Sequence, residues 1–421
     1  MLKQITGTIA ARVAMAASGL LVSVLAGHRL GANGLGVIGL VVLGISLIGL
    51  AANLLGGGAL VYLVPRVPLR RLLGPSYAWA VVVCGLGYAV VDLFGLVPEG
   101  YALHVAVLAL MQAIYSIHLN VLVGQGRIGA YNRIAVLQTL VLLGAFAALL
   151  AARHTDPMSY VRASYLAFGT TLLLSTLLLR AHPPRLPWNE GSVLRLMLRQ
   201  GVFVQSANAM QLLNYRTAFW LIDRFWGKAP LGIYAVGTQL SESAWLAPKS
   251  LGLILYSRVS NTAHPGEQRD LTVLLLKAAV GSALAVLVVL LLLPAAVFQW
   301  AFGPEITGLG PVMSVLAPGI LAMSASQAFS HFFSGTGRNR HNVIGSGTGL
   351  LVTLVAGFLL VPHHALLGAA ATASLAYTVN ATYQAFMFMR ITGLPWHGLL
   401  PGMADMRRLR RAFSAVAGSR P

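Results

Sequence analysis

Charge is what this chain lacks most. Residues with a formal charge fill 9 % of its 421 positions, and Asp and Glu together number 10. A soluble globular domain carries about 25 % charged residues. A globule of this composition could not cover itself with polar side chains, which excludes a soluble multidomain enzyme and a disordered chain. Cysteine is nearly absent: Cys84 stands alone, so no intramolecular disulfide scaffold can form. No CxxC motif and no His/Cys cluster at metal spacing occurs, and the pair His363–His364 reads as part of a loop. No metal and no cofactor is expected. Paired catalytic carboxylates, a DxD-type sugar-nucleotide site, a Walker loop and a Ser/His/Asp arrangement are missing as well. The expectation is a protein that is not an enzyme.

What the chain has instead is apolar length. Hydrophobic residues make up 57 % of it, and the mean hydropathy is +0.77. A bilayer core needs about 20 apolar residues per helix, and the runs here are continuous, as in Leu287–Leu293, not alternating as in a membrane β-barrel. The sequence predicts an all-α polytopic membrane protein with twelve spans. They lie at about 6–27, 36–63, 77–97, 102–123, 131–152, 158–180, 200–222, 231–257, 272–299, 311–334, 341–361 and 366–390. The first span contains Arg12 and lacks a small-residue cleavage site, so it reads as a retained helix, not a signal peptide. With the N-terminus inside, 20 basic residues fall in inward segments and 4 (Arg29, Arg153, Arg224, Lys228) in outward loops. That split predicts an N-in, C-in topology. The net charge of +19 therefore reads as topology and attraction to anionic lipid headgroups, not as a nucleic-acid surface. The basic tail segment Met406–Phe413 has the makings of an interfacial amphipathic helix.

The longest polar stretch, Arg180–Gln200, divides the spans six and six. The expected organisation is a six-helix bundle at 1–182, a cytoplasmic linker with an amphipathic segment at 183–199, a second six-helix bundle at 200–391 and a basic cytoplasmic tail at 392–421. The halves look duplicated. Arg29-Leu30-Gly31 followed by Leu35-Gly36-Val37-Ile38 matches Arg224-Phe225-Trp226-Gly227 followed by Leu231-Gly232-Ile233-Tyr234. Val61-Tyr62-Leu63-Val64-Pro65-Arg66 pairs with Ile254-Leu255-Tyr256-Ser257-Arg258, and Gly124-Gln125-Gly126-Arg127 with Gly335-Thr336-Gly337-Arg338. Six spans per half is an even number, so the halves share one orientation, with a cavity expected between them.

A charge inside a span costs at least about 2.5–3.5 kcal/mol, so each one there calls for a cavity or a partner. Five basic residues qualify: Arg12, Arg162, Arg216, Lys249 and Lys277. Among acidic residues only Glu242 lies well inside a span, with Asp92 and Asp223 at span ends. A cationic interior suits an anionic passenger, and arginine offers a diphosphate a bidentate fork. Arg162 and Lys277, nearer span ends, also read as snorkelling side chains. Gln205, Asn208, Gln211 and Tyr215 step along one helical face toward Arg216 and predict a polar lining. Glu242 and Lys249 share a face two turns apart, with Pro248 beside them. Gln327 and His331, with Ser326 and Ser330, form a further polar patch. Tyr377, Asn380, Tyr383 and Gln384 read more as helix–helix hydrogen bonding.

The six-plus-six layout resembles the multidrug/oligosaccharidyl-lipid/polysaccharide exporter superfamily, in particular its polysaccharide flippase branch. The resembling residues include Leu30-Gly31, Leu35-Gly36, Asp223-Arg224 and Leu231-Gly232-Ile233-Tyr234-Ala235-Val236. They continue in Leu240-Ser241-Glu242-Ser243-Ala244-Trp245-Leu246-Ala247-Pro248, Tyr256-Ser257-Arg258-Val259-Ser260, Leu316-Ala317-Pro318-Gly319, Phe332-Phe333-Ser334-Gly335-Thr336-Gly337-Arg338 and Gly368-Ala369-Ala370-Ala371. The resemblance implies a multidrug exporter-like fold. It also implies flipping of undecaprenyl-diphosphate-linked oligosaccharides from the cytoplasmic to the periplasmic leaflet of a bacterial inner membrane, by alternating access. Lipid II flippases of that superfamily generally have two further C-terminal spans, so the resemblance points to an O-antigen or exopolysaccharide repeat unit. The implied partners are the lipid-linked oligosaccharide, anionic lipids and polysaccharide polymerase machinery, with no nucleic acid. A cation-coupled multidrug exporter of the same fold is the alternative, and the scarcity of acidic residues inside spans argues against it.

Overall fold

In hydrocarbon a backbone N–H or C=O finds no water, so an apolar run must satisfy its own polar groups, and the helix does this within one segment. The computed structural model describes residues 2–64, 67–179, 192–249, 252, 259, 264–338 and 340–400. Among these every regular element is helical. The order is α1 Leu2–Gly56, α2 Gly58–Leu63, α3 Leu69–Leu93, α4 Ala102–Gly124, α5 Ile128–Ala151 and α6 Met158–Leu178. Then follow α7 Val193–Trp226, α8 Lys228–Ser243, α9 Pro265–Leu292, α10 Ala295–Phe302, α11 Leu309–Gly335, α12 Arg340–Thr392 and a 3-10 turn Trp396–Leu399.

Among the described residues eight helices are long and apolar enough to cross a membrane: α1, α3, α4, α5, α6, α9, α11 and α12. The protein is a multi-pass membrane protein. Helix α7 falls short of that measure because its polar stripe, from Gln205 to Arg216, lowers its apolarity. Large apolar side chains such as Leu93, Leu177, Val289, Leu292 and Leu359 stand exposed on the spans, as lipid-facing positions do.

Several boundaries differ from the sequence expectation. The first two spans are one run of helix broken only at Gly31 (φ 67, ψ −171). The last two join in α12, with a break at Ala365 (φ 46, ψ −124) just after Pro362. The expected ninth span ends early, at Leu292: Pro294 holds the preceding Leu293 extended (ψ 130), and α10 restarts the helix at Ala295. Helix α7 begins at Val193 and so takes up the end of the expected linker. Its start is capped by Ser192, whose hydroxyl accepts from the Arg195 N–H at 3.4 Å. The rest of that linker, part of the eighth span and the tail from residue 401 lie outside the described residues.

Two compact units emerge. One is Met1–Val236 with Ala295–Leu309; the other is Gly237–Pro294 with Gly310–Pro421. In the first unit α1 is the central element and packs against α3, α4, α5, α7 and α10. His118 of α4 ties its neighbours together: its ring nitrogens meet the Tyr77 hydroxyl of α3 at 2.7 Å and the Ser175 hydroxyl of α6 at 3.0 Å. In the second unit Phe329, Phe332 and Phe333 of α11 pack with Phe388 of α12, Phe332 and Phe388 edge to face at 4.9 Å. The Trp245 indole donates to the Ile320 carbonyl at 3.1 Å.

Candidate functional site: an uncharged polar cleft in the first unit

Three helices of the first unit each bring a polar stripe to one place. Ser46, Gly49, Asn53 and Gly57 recur at intervals of three or four, on the second half of α1 and just past its end. Gln112, Ser116 and Asn120 stand four apart on α4, and Gln205 and Asn208 three apart on α7. Together with Leu50 and Leu212 they line a cleft of about 380 Å³. Gly201 lets α7 come this near, since a Cβ there would fall on the Leu54 carbonyl of α1.

The polar side chains hold one another in place. The Ser116 hydroxyl donates to Asn53 Oδ1 at 3.3 Å. Asn120 Nδ2 donates to the Gly56 carbonyl at 3.1 Å and to the Ser116 carbonyl at 2.9 Å. Gln205 Nε2 donates to the Asn53 carbonyl at 3.1 Å, and Asn208 Nδ2 donates to Gln205 Oε1 at 3.1 Å. These bonds cross from α1 to α4 and from α1 to α7. They leave groups over. Asn53 Nδ2, Asn120 Oδ1, Asn208 Oδ1 and both ends of the Gln112 amide form no hydrogen bond with the described residues. Among the described residues no charged side chain lines the cleft.

Of the residues singled out from sequence, Gln205 and Asn208 are in this cleft. Further along α7, Gln211 Nε2 donates to the Tyr215 hydroxyl at 2.6 Å, and the Arg216 guanidinium lies over the Phe219 ring at 4.8 Å. Arg12 of α1 and Arg162 of α6 are exposed. In the second unit Lys249 is exposed, with its ammonium 5.5 Å from the Trp245 ring centre, while Glu242, Gln327 and His331 are half-buried. Lys277 borders a separate cleft of about 550 Å³ with Glu267 and Asp270. Ser326 and Gln384 are drawn into a bonded network: the Ser326 hydroxyl donates to Gln384 Oε1 at 2.8 Å and accepts from Asn380 Nδ2 at 3.2 Å. Gln384 Nε2 donates to Asn342 Oδ1 at 3.3 Å.

Sequence reasoning passed over Ser46, Asn53, Gln112, Ser116 and Asn120, yet the internal repeat points to them. The matched loops share their backbone geometry. Gly31 (φ 67, ψ −171) and Gly227 (φ 86, ψ −172) adopt one conformation, open to glycine and unfavourable to other residues. Gly126 (φ 77) and Gly337 (φ 75) do likewise. The following arginines, Arg127 and Arg338, each donate from N–H to the carbonyl five residues back, at 2.8 and 2.7 Å. The first pair is separated by 196 positions and the second by 211. A spacing of 196 also joins Gly36 to Gly232 and Gly56 to Gly252, and 211 joins Asn120 to His331. Asn120 bonds to Gly56, and the His331 ring lies where a Cβ on Gly252 would be. In this register Ser46 corresponds to Glu242, Gly49 to Trp245, Asn53 to Lys249 and Ser116 to Gln327. The residues flagged in the second half are thus the counterparts of the cleft lining in the first.

No family model matches the chain, and no curated protein matches it. Solved structures do match its fold. A multidrug resistance transporter of the MATE family and MOP superfamily, inward-facing, aligns over 90 % of this chain and 94 % of its own, with a TM-score of 0.71 and 13 % identity. The lipid II flippase MurJ, inward closed, aligns over 98 % of this chain and 93 % of its own, with a TM-score of 0.71 and 11 % identity. A MOP superfamily transporter from Pyrococcus furiosus, described for the reverse polarity of its binding pocket, aligns over 93 % and 95 % with a TM-score of 0.64 and 13 % identity. The chain has the all-helical fold shared by these membrane transporters.

Proposed function

We propose that this protein is a flippase. Its passenger is an undecaprenyl-diphosphate-linked oligosaccharide repeat unit for O-antigen or exopolysaccharide synthesis, carried from the cytoplasmic to the periplasmic leaflet by alternating access. The observation that carries the reading is the chemistry of the polar groups set within the helices. They are amides, hydroxyls and cations, and Glu242 is the one carboxylate well inside a span. Amides and hydroxyls suit a glycan, and Arg12, Arg162, Arg216, Lys249 and Lys277 suit a diphosphate. A carrier of cationic compounds needs the opposite charge.

Mass spectrometry of lipid extracts from a deletion strain tests this. Accumulation of undecaprenyl-diphosphate oligosaccharide with loss of surface polysaccharide is the expected result, and the mass identifies the glycan. Unchanged lipid-linked sugars with new sensitivity to cationic drugs would overturn the assignment in favour of drug export.

A further inference from the structure

The cleft in the first unit is lined by amides, hydroxyls and two leucines. We propose that it is a saccharide subsite: it takes one uncharged sugar residue of the lipid-linked chain and does not hold the diphosphate. This rests on the transporter reading above and assigns a part of the passenger to one place.

The groups left over in the cleft are both donors and acceptors. Asn53 Nδ2 and Gln112 Nε2 can donate, while Gln112 Oε1, Asn120 Oδ1 and Asn208 Oδ1 can accept. A sugar hydroxyl does both at once, and an N-acetyl group offers one of each. A diphosphate offers acceptors alone, so it would waste three of these five groups. It would also enter a site where, among the described residues, no Arg, Lys or His offsets its desolvation. A cationic compound fares no better, because among the described residues no carboxylate lines the cleft.

Size and rigidity agree. A volume of about 380 Å³ sits at the low end of the roughly 300–1,000 Å³ typical of small-molecule sites, which gives room for a sugar ring. Leu50 and Leu212 give the C–H face of a ring something apolar to rest on. The hydrogen bonds among Asn53, Ser116, Asn120, Gln205 and Asn208 fix the lining beforehand, so little ordering is needed on binding. The internal repeat adds an independent contrast. At the corresponding second-half positions Ser46 becomes Glu242, Asn53 becomes Lys249 and Asn120 becomes His331. The buried Trp245 stands where Gly49 leaves room in the first half. Among the described residues, the first copy carries neutral side chains where the second carries Glu242, Lys249 and His331.

The test is native mass spectrometry of the purified full-length protein. Two probes are used: undecaprenyl diphosphate, and undecaprenyl diphosphate carrying N-acetylglucosamine. Two variants enlarge the comparison. Gln112→Leu removes an amide that holds no other described residue in place. Gly49→Val fills the cleft, since a Cβ at Gly49 already comes within 3.4 Å of Gln112 Nε2. Both should weaken binding of the sugar-bearing lipid about tenfold and leave the bare lipid diphosphate unaffected. Equal weakening for both lipids, or undiminished binding of the sugar-bearing one, overturns the subsite and leaves the flippase reading standing. Wild-type protein that binds neither lipid overturns both. Either variant alone decides the matter if the other does not fold.

Discussion

Gly36 and Gly232 close on each other's helix reciprocally: a Cβ on Gly36 would fall on the Lys228 carbonyl, and one on Gly232 on the Ala32 carbonyl. Both contacts lie in the first unit and both partners are backbone, so neither can yield by turning a side chain. The mutual pattern is what a self-complementary interface between two copies of a motif produces, here two copies within one chain. Gly36→Ala and Gly232→Ala should each destabilise the protein by about 1–3 kcal/mol, the usual range for overfilling a packed contact. The double variant should lose clearly less than the sum, because either methyl group alone separates the same helices. Thermal unfolding in detergent, read as the surviving monomer peak, measures this. Additive losses would show that the two contacts are independent.

Glu305, in the segment after α10, accepts a hydrogen bond from the Ala32 N–H at 3.0 Å. The break at Gly31 makes Ala32 the start of a new helical run, whose first N–H groups have no partner within it. The carboxylate therefore acts as a cap supplied from far along the chain, at the positive end of the helix dipole. Glu305→Ala should lower stability by about 1 kcal/mol. Glu305→Gln keeps an acceptor and should recover part of that. Equal losses for the two variants would mean that the side chain acts through packing alone.

Gln384 links three elements of polarity in the second unit, accepting from Ser326 and donating to Asn342. Its side chain is buried, as is that of Ser326. Gln384→Leu leaves both partners unsatisfied and should cost about 1–2 kcal/mol. Protein that survives should transport normally, since this network binds helices together. A transport defect in Gln384→Leu at unchanged stability would place the residue in the pathway.

Hydropathy made the helical membrane fold legible, because long continuous apolar runs satisfy their backbone in a bilayer as helices, whereas a barrel strand would alternate. The helix boundaries were less so. Continuity through residues 28–36 was hidden, since Arg29 and Gly31 look like a loop and yet Glu305, nearly three hundred residues away, caps the break. Two of the cleft's seven polar side chains were visible. Gln205 and Asn208 stand on a helix whose stripe is too polar for packing alone. Asn53 stands singly in an apolar run, and Gln112, Ser116 and Asn120 stand one turn apart on α4; polar groups so placed, without a charge beside them, read as helix contact. Charge drew attention to Glu242, Lys249 and His331 instead. The repeat spacing of 196 and 211 residues converts three of those positions into Ser46, Asn53 and Asn120, so the information was present in the duplication, one step beyond the loop motifs that revealed it.

Lys249 puts that correspondence to use. It occupies the place of Asn53, and its ammonium stands 5.5 Å from the Trp245 ring centre while the side chain remains exposed. Under the proposed flippase reading, a cation in the second unit suits the diphosphate of the passenger. Lys249→Met keeps the length of the side chain and most of its packing on the indole, and removes the charge. Binding of bare undecaprenyl diphosphate should fall about tenfold, and the remaining affinity should depend less on ionic strength than that of the wild type. Arg216→Ala should act in the same direction and abolish transport with expression intact, through loss of the guanidinium fork. If Lys249→Met binds the bare diphosphate as tightly as wild type at low salt, the lysine does not meet the passenger's charge, which must then be met by other cations.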